Sequence, residues 1–388
     1  MPGPLEGIRI IELAGLGPTP FCGMMLADQG ADVILIERPV RNRPGDARKD
    51  ILNRSRRSLV LDLKKPRSVE IVRRLAQSAD GLIEGFRPGV MERLGLGPDL
   101  LLRDNPRLAY GRMTGWGQAG SAAQQAGHDI NYIALAGVLD ACGRAGGQPT
   151  PPINMLGDFG GGGMLLAFGM LAGILSARSN GKGQVIDCAM TDGAALLSAM
   201  VWTMRAQGRW GGGRGENLLD TGAHFYDTYE TKDGGFVAVG AIEPAFYQQF
   251  CERLGVADDP QFRSQMDGSQ WPELKQRVSA IFRTRPRDEW VEIFAGSDAC
   301  FSPVLSMDEA RVHDHTRERG LIIEVDGVLQ PAPAPRFSKS VVGRPAMPGL
   351  PGEGSGGLLD ELGYSVHEIE QLRDDGVFGK FRESAVVV

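Results

Sequence analysis

Short apolar runs alternate with helically spaced apolar positions along the first half of the chain. Residues 7–14 and 31–39 predict two strands, and the segment between them has the spacing of a helix. Short buried strands that alternate with helices are typical of a mostly parallel sheet covered on both faces, so we expect an α/β fold. The same alternation predicts a second helix at 66–79 and further strands at 58–63, 81–86, 107–113 and 182–190.

The second half of the chain has a different pattern. Residues 208–222 are rich in glycine and predict a linker, after which aromatic and β-branched positions surround Asp233-Gly234 and predict a hairpin. Helical spacing returns at 243–255 and 272–284. We expect a large domain at 1–187 that is completed by about 331–388, a linker at 188–224, a small α+β domain at 225–308, and a return linker at 309–330.

The composition is typical of a globular enzyme. With 388 residues, of which 42% are hydrophobic and 23% charged, the chain is long enough for two or three domains. The net charge of −6 argues against a nucleic-acid partner, which would favour a basic surface.

The sequence also predicts a compartment. Five scattered cysteines without a C-x-x-C pair are typical of a reducing environment. The first residues lack the basic and apolar regions of a signal peptide. The longest apolar run, 164–175, is shorter than the roughly 20 residues that span a bilayer. We therefore expect a cytoplasmic protein without a membrane partner.

Two candidate proton carriers lie thirty residues apart, the imidazole of His128 in AGHDINY and the carboxyl of Asp158 in NMLGDFGGGG. Facing each other across a substrate, they could take a proton from one face of a carbon and return one to the other, which is the chemistry of an epimerase. Each has a structural alternative, because a histidine or an aspartate at a helix start is more often a cap or a packed residue.

Asp158 is followed by four glycines, 160–163, and then by the apolar run. We expect the extended residues 151–156 to lead into a glycine-rich turn that opens a helix. The free backbone N–H groups of this turn would then bind an oxyanion. Close helix packing also favours glycine, and it is an alternative explanation for the last two glycines.

Gly15 and Gly17 follow the first predicted strand, and Glu37 lies twenty residues beyond, as in a dinucleotide-binding fingerprint. Pro20 takes the place of the third glycine. Its ring fixes φ and does not give the close helix packing that a glycine gives. A nicotinamide cofactor is therefore disfavoured.

A local excess of positive charge follows the second predicted strand, where open α/β sheets bind ligands. Arginine fits phosphate oxygens, so a phosphorylated nucleotide would fit here, and a solvated surface loop is an equal alternative. Lys64, Arg87 and Arg93 favour the binding role. The excess comprises Arg38, Arg41, Arg43, Arg48, Lys49, Arg54, Arg56 and Arg57.

Nine blocks of the sequence together carry a family resemblance. They are GIRIIELAGLGPTPFCGMMLADQGADVILIERP, RSLVLDLKKPR, GFRPGVMERLGLGP, YGRMTGWGQAG, AGHDINYIALAGVL, NMLGDFGGGG, GKGQVIDCAM, FYDTYETKDGGFVAVGAIEPAFY and SDACFSPVLSMDEA. In this order they resemble the α-methylacyl-CoA racemases of the class III (family III) CoA-transferase superfamily, from residue 7 to about 340.

The resemblance implies a coenzyme A thioester as substrate, a place in lipid metabolism, and no separate cofactor or metal. It also implies an interlocked homodimer in which each chain has a Rossmann-like large domain, with a mostly parallel sheet, and a smaller α+β domain.

Transferred motif by motif, the resemblance makes His128 and Asp158 the two acid/base residues and brings Glu243 from the partner chain to support them. The implied reaction interconverts (R)- and (S)-2-methylacyl-CoA by 1,1-proton transfer at Cα through an enolate-like intermediate. Because Asp158 must start one direction protonated, we expect burial to raise its pKa. The implied CoA and substrate contacts are Arg38, Leu61, Asp62, Leu63, Lys64, Gly85, Phe86, Arg87, Arg93, Gly127, Asp129, Ile130, Asn131 and Tyr132.

Alternatives remain open at this point. The superfamily also contains CoA-transferases, in which the aspartate matching Asp158 is a nucleophile, but these generally lack the histidine that matches His128. A non-catalytic acyl-CoA-binding protein is an alternative of another class. Thr221 and His224 replace a glycine and a proline that the racemases usually have, and this departure concerns the acyl pocket or the linker.

Overall fold

The computed structural model describes residues 3–39 and 45–379. Within them the chain divides into two compact units. Of the described residues, the first comprises those up to Ala136, Ile153–Leu197 and those from Leu321 onward, and the second comprises Gly137–Pro152 and Ser198–Gly320.

The elements are numbered here in chain order. The strands are β1 Arg9–Leu13, β2 Asp32–Glu37, β3 Arg57–Val60, β4 Gly81–Glu84, β5 Ala109–Thr114, β6 Gln184–Ala189, β7 Tyr226–Glu230, β8 Phe236–Gly240, β9 Phe301–Val304, β10 Ile322–Val325 and β11 Val328–Pro331. The helices are α1 Pro18–Asp28, α2 Pro66–Gln77, α3 Val90–Arg93, α4 Pro98–Asp104, α5 Asp129–Leu135, α6 Leu165–Asn180, α7 Met190–Leu197, α8 Ala199–Ala206, α9 Pro244–Leu254, α10 Trp271–Phe282, α11 Arg287–Phe294, α12 Met307–Val312, α13 Asp314–Arg319, α14 Ser355–Glu361 and α15 Val366–Asp374.

A six-stranded parallel sheet forms the centre of the first unit, with the order β3-β2-β1-β4-β5-β6. Helices cover both faces, because alternate residues of a strand point to opposite sides. Ile11 of β1 packs with Leu75 of α2 in one core, and its neighbour Ile10 packs with Leu26 of α1 and Met170 of α6 in the other. The predicted α/β fold is confirmed.

The strand order places a switch point between β1 and β4, where the direction of winding reverses. Open α/β sheets bind ligands at the carboxyl ends of the strands on either side of such a point. The loops that follow β1 and β4 are therefore the first place to look for a site.

The residues Met155–Met164 form a π-helix that continues into α6. The predicted glycine-rich turn is therefore wrong, because Gly160–Gly163 lie inside a helix. The predicted extended segment 151–156 is wrong at its end, because Met155 and Leu156 already belong to that helix. The physical reason is close packing. A Cβ on Gly161 would lie 2.7 Å from the backbone N of Ala194 in α7, and a Cβ on Gly163 would lie 2.7 Å from the carbonyl O of Pro18 in α1.

This continuous helix, Met155–Asn180, is 26 residues long and, with a mean hydropathy of 1.6, apolar enough to cross a membrane. The apolar helix is therefore longer than the apolar run 164–175 that was identified in the sequence. A core helix of a globular protein passes the same test. Here 44% of the apolar stretch is buried, and Leu166 and Met170 pack against the sheet.

The second unit contains a three-stranded antiparallel sheet, β7-β8-β9. The predicted hairpin around Asp233-Gly234 is confirmed, because Tyr226 pairs with Gly240 and Glu230 with Phe236. Helices α9, α10 and α11 pack against this sheet through a core rich in aromatic rings. The predicted smaller α+β region is thus present, and α7 and α8 occupy part of the segment 188–224 that was predicted as a linker.

Candidate active site

Asp158 lies beside the switch point of the parallel sheet. Gly17, at the start of α1 after β1, is so close that a Cβ on it would lie 3.1 Å from Oδ2 of Asp158. The first turn of α1 also lies close to the residue that follows β4, because a Cβ on Gly85 would lie 2.6 Å from Oγ1 of Thr19. The carboxyl group of Asp158 therefore lies where α/β sheets of this topology bind ligands.

His128 is the N-cap residue of α5 and is exposed. Its backbone N–H donates to Oδ1 of Asn131 at 3.1 Å, and its carbonyl accepts from the N–H of Asn131 at 2.8 Å. These reciprocal hydrogen bonds define the start of the helix, as in a capping box. They hold the backbone of His128 at the edge of the site.

Asp158 is half-buried in the first turn of the π-helix. Burial raises the pKa of its carboxyl above the ordinary value, and a hydrogen bond from Nδ2 of Asn154 to Oδ2, 3.0 Å long, opposes this rise. The predicted upward shift of the Asp158 pKa, with burial as its cause, is confirmed.

Electrostatic interactions connect Asp158 with α5. The charge of Asp129 raises the pKa of Asp158, and a positive charge on His128 lowers it. Burial raises the pKa of Tyr132, and the charge of Asp158 raises it further. The structure thus brings together the imidazole and the carboxyl that the sequence placed in two separate motifs.

The amides at the start of the π-helix already have an acceptor. The N–H groups of Gly157 and Asp158 donate to Oδ2 of Asp129 at 2.6 and 2.8 Å. The glycines that follow lie in the helix interior, where each N–H of a π-helix bonds to the carbonyl five residues earlier. The predicted oxyanion site at these amides is therefore wrong, because a carboxylate of the same chain and the helix itself satisfy them.

Comparison with known proteins decides the family. The sequence model of CoA-transferase family III matches residues 5–353. The chain belongs to CoA-transferase family III.

Relatives in this family have two kinds of activity. The α-methylacyl-CoA racemases of Mus musculus and Homo sapiens are each 46% identical to this chain, and each alignment covers 96% of the chain and 97% of the relative. The succinyl-CoA:glutarate CoA-transferase of Mus musculus is 30% identical over 96% of this chain and 90% of its own length.

Solved structures have the same fold. A CAIB/BAIF family protein from Brucella suis superposes with a TM-score of 0.80 at 24% identity, covering 93% of this chain and all of that one. A protein from Mycobacterium tuberculosis superposes with a TM-score of 0.75 at 28% identity, covering 92% of this chain and 99% of that one.

Most cations that the family III resemblance implies for CoA lie at the carboxyl edge of the sheet. Arg38 follows β2, Lys64 follows β3 and Arg87 follows β4, and all three are exposed. Arg93 at the end of α3 is exposed as well. Of the other implied contacts, Leu61 is buried in the core. Solvent reaches four further residues, Asp62, Leu63, Gly85 and Phe86. The remaining four lie next to His128 at the start of α5: Gly127, Ile130, Asn131 and Tyr132.

Three arginines of the predicted basic segment do not face solvent as free cations. Nε and Nη2 of Arg54 bind both oxygens of Asp28, at 3.0 and 2.5 Å, and Nε of Arg56 lies 2.8 Å from Oε2 of Glu12. Arg57 pairs with Asp32 and Glu361. A phosphate role for Arg54 and Arg56 is therefore wrong, because both side chains are almost fully buried. Arg48 and Lys49 are exposed, and Arg41 and Arg43 lie outside the described residues.

Two polar groups at the site were not predicted. Asn154, which donates to Asp158, lies four residues before it, so helical spacing within NMLGD could have indicated the pair. Glu84 at the end of β4 accepts the N–H of Phe86 at 2.7 Å and the Nε of Arg112 at 3.0 Å, and burial raises its pKa to about 7. The hydrogen bond from Phe86 to Glu84 holds the start of the loop 85–87 in place.

The residues that depart from the racemase pattern lie in the second unit. His224 is fully buried, its Nε2 lies 2.7 Å from the hydroxyl of Tyr247, and burial lowers its pKa to about 4. Thr221 has a φ of 78°, in the left-handed region that favours glycine, and its hydroxyl is buried. Glu243, the implied partner residue, is exposed at the start of α9.

The dinucleotide fingerprint lacks the geometry of a binding site. Glu37, which a dinucleotide site would need for a ribose, is buried and accepts a hydrogen bond from the hydroxyl of Ser58. His313 and His315, at the start of α13, are exposed. Across residues 3–39 and 45–379, no three potential metal-binding side chains of the His, Cys, Asp or Glu type cluster together.

Proposed function

We propose that this chain is an α-methylacyl-CoA racemase, which interconverts (R)- and (S)-2-methylacyl-CoA thioesters. The observation that carries the proposal is the pairing of an exposed imidazole with a half-buried carboxyl of raised pKa beside the switch point of the sheet. Two α-methylacyl-CoA racemases at 46% identity over nearly the whole chain support it.

In the proposed mechanism, His128 takes the α-proton from the S face of the thioester while Asp158 delivers a proton to the R face. In the reverse direction the two groups exchange roles. A carboxyl that donates a proton near neutral pH needs a raised pKa, and burial gives Asp158 a shift in this direction. The reaction needs no metal or cofactor besides the thioester itself.

The enolate oxygen needs hydrogen-bond donors. The amides of Gly157 and Asp158 donate to Asp129 and are not available. The first two amides of α5, those of Asp129 and Ile130, have no carbonyl partner within their own helix, whereas the N–H groups of Asn131 and Tyr132 donate to the carbonyl of His128. We therefore place the oxyanion at the start of α5 and not at the glycines.

Coenzyme A would bind through the exposed cations at the carboxyl edge. Arg38, Lys64 and Arg87 follow three parallel strands of one sheet, β2, β3 and β4, so their side chains start from the same edge of the sheet. Phosphate groups held there would anchor the thioester through parts of the substrate that do not react. This anchoring would bring Cα between the two proton carriers.

A homodimer is part of the proposal. The side chains of Met164, Phe168, Leu171 and Leu175 follow one another at helical spacing and are each at least 40% exposed. An apolar stripe of this kind marks a surface that another protein covers. We propose that a second copy covers it and brings Glu243 to the site. A cytoplasmic location is consistent with the five free cysteines.

An intermolecular CoA-transferase with Asp158 as nucleophile is the second candidate, because a CoA-transferase is 30% identical to this chain. His128 has no part in this mechanism, so the pairing of its imidazole with Asp158 would be left without a role.

The two candidates predict different products. Protein incubated with one enantiomer of a 2-methylacyl-CoA, without an acceptor acid, should lose optical purity and form no adduct that intact-protein mass spectrometry detects. A stable optical purity together with a covalent adduct at Asp158 would establish the transferase instead. Light scattering should give a dimer for the wild type and a smaller species for Phe168→Glu, with Val366→Glu on α15 as the control.

A further inference from the structure

The carboxyl group of Asp129 joins the two elements that carry the proton carriers. Asp129 is the first residue of α5, directly after His128, and its side chain is only 4% exposed. Its Oδ2 accepts the N–H groups of Gly157 and Asp158 at 2.6 and 2.8 Å. The second of these is the backbone amide of the proposed acid/base residue itself.

We propose that Asp129 is a positioning residue for the proton transfer, which holds Asp158 in place relative to His128 and keeps its carboxyl able to carry a proton. This inference rests on the proposed racemase function. It gives Asp129 a role within the chain in addition to the CoA contact that the family resemblance implies, because Oδ2 accepts two amides of its own chain.

The first step of the argument is geometric. Residues at the start of a helix have N–H groups without partners inside the helix, and a carboxylate placed there satisfies them and interacts favourably with the helix dipole. Asp129 supplies this carboxylate from a different helix, so α5 and the π-helix are held together at the turn that contains Asp158.

Gly157 shows that the contact requires close approach. A Cβ on Gly157 would lie 2.6 Å from Oδ2 of Asp129, a distance that only a shift of the carboxylate could relieve. The glycine before Asp158 is thus needed for the hydrogen bonds between the two elements. A substitution at residue 157 would disturb the same contact from the opposite side.

The second step is electrostatic. Burial and the charge of Asp129 both raise the pKa of Asp158, whereas a positive charge on His128 lowers this pKa. The carboxyl of Asp158 also interacts electrostatically with Tyr132. The other elements packed on the π-helix bring these titratable residues: Cys22 and Asp28 on α1, Arg178 on α6, Asp187 and Cys188 on β6, and Asp192 on α7.

Two substitutions separate charge from hydrogen bonding. Asp129→Asn removes the charge and keeps an oxygen that can accept both amides. With the (R)-thioester, for which Asp158 is the base, the acid limb of the kcat/KM profile against pH should therefore move to lower pH. Asp129→Ala also removes the acceptor and leaves two buried amides unsatisfied. Because misplacement of a reacting group by about 1 Å can cost 10²-fold, this variant should lose about 100-fold in kcat with little change in KM.

The control is Asp99→Asn, which alters an exposed aspartate in the first turn of α4 and should leave the profile unchanged. Gly157→Ala, measured alongside, should lower kcat even if Asp129→Ala fails to fold. Thermal unfolding of each variant accompanies the kinetics.

The outcomes distinguish this inference from the function on which it rests. A wild type that does not racemise 2-methylacyl-CoA overturns the proposed function. A racemising wild type overturns the role of Asp129 if Asp129→Asn keeps the wild-type acid limb, or if Asp129→Ala or Gly157→Ala loses thermal stability without loss of kcat. A shifted limb in Asp129→Asn together with a kcat loss in the other two variants supports it.

Discussion

The carboxyl edge of the parallel sheet and the interiors of the two units contain the same kinds of side chain in opposite settings. At the edge, the side chains of His128 and Arg38 are exposed and are not part of the core. In the interiors, His224 bonds to Tyr247 and Arg54 binds Asp28, both almost fully buried. Burial and partners, and not residue type, decide whether an imidazole or a guanidinium is available for chemistry.

The largest expected effect tests the histidine at the edge. His128→Gln should lower the rate of racemisation on the order of 10²- to 10⁴-fold, the usual contribution of a general acid/base residue. Its free energy of unfolding should change by less than about 0.5 kcal/mol, as for other exposed positions. Kinetics and urea denaturation measure the two, and His313→Gln is the control. A fully active His128→Gln variant would show that the exposed imidazole at the edge has no part in the chemistry.

The arginine of the interior should behave in the opposite way. Arg54→Met leaves the buried carboxylate of Asp28 without its partner, which typically costs about 3–5 kcal/mol of stability. Urea denaturation measures the loss, and exposed Arg48→Met, in the same predicted basic segment, should change stability by less than about 0.5 kcal/mol. Equal stabilities of the two variants would contradict the assignment of Arg54 to the core.

The buried histidine gives a pH-dependent test. His224→Gln should cost about 2 kcal/mol of unfolding free energy at pH 7 through lost packing and hydrogen bonding, with kcat unchanged. Burial lowers the pKa of His224 to about 4, below its unfolded value near 6.5, so the unfolded state binds the proton first. The stability difference between wild type and variant should therefore shrink as pH falls from 6.5 toward 4. A constant difference would show that His224 does not titrate as a buried neutral group.

Arg38 tests whether the edge binds the nucleotide part of the substrate. Arg38→Gln should raise KM for an acyl-CoA about 10-fold, the effect of losing one charge-assisted hydrogen bond, and should change kcat less. Initial rates at several substrate concentrations measure both constants. Arg103→Gln, at the exposed end of α4, is the matched control. A loss confined to kcat would argue against a phosphate contact.

The smallest expected effect concerns Thr221. Its φ of 78° lies in a region that costs a residue with a side chain about 1–2 kcal/mol relative to glycine. Because glycine also gains freedom in the unfolded chain, Thr221→Gly should stabilise the protein by about 1 kcal/mol, read from its thermal unfolding. A destabilised variant would show that the side chain of Thr221 makes compensating contacts.

Local patterns predicted the elements whose cause is local. The apolar runs of β1 and β2, the proline at the start of α2 and the Asp233-Gly234 turn each depend on neighbouring residues, and the structure confirms them. The motifs that carry His128 and Asp158 were also visible, since each lies in a short block of sequence.

What the sequence could not show depends on partners distant along the chain. Arg54 was predicted to be a phosphate ligand because Asp28, its partner, lies 26 residues away and Gln330, which accepts from its Nη1, lies 276 residues away. The glycines before α6 were predicted to form a turn because the close approach of α1 and α7 is not visible in local spacing. The hydrogen bonds of Asp129 across 28 residues were missed for the same reason.

Proton exchange tests the central claim most directly. An (R)-2-methylacyl-CoA incubated in heavy water with the protein should take up one deuterium at Cα, seen by proton NMR, and lose optical purity, and His128→Gln should slow the racemisation on the order of 10²- to 10⁴-fold. A wild type that leaves Cα fully protonated and the optical purity unchanged would contradict the proposal that His128 and Asp158 transfer a proton between the two faces of one carbon.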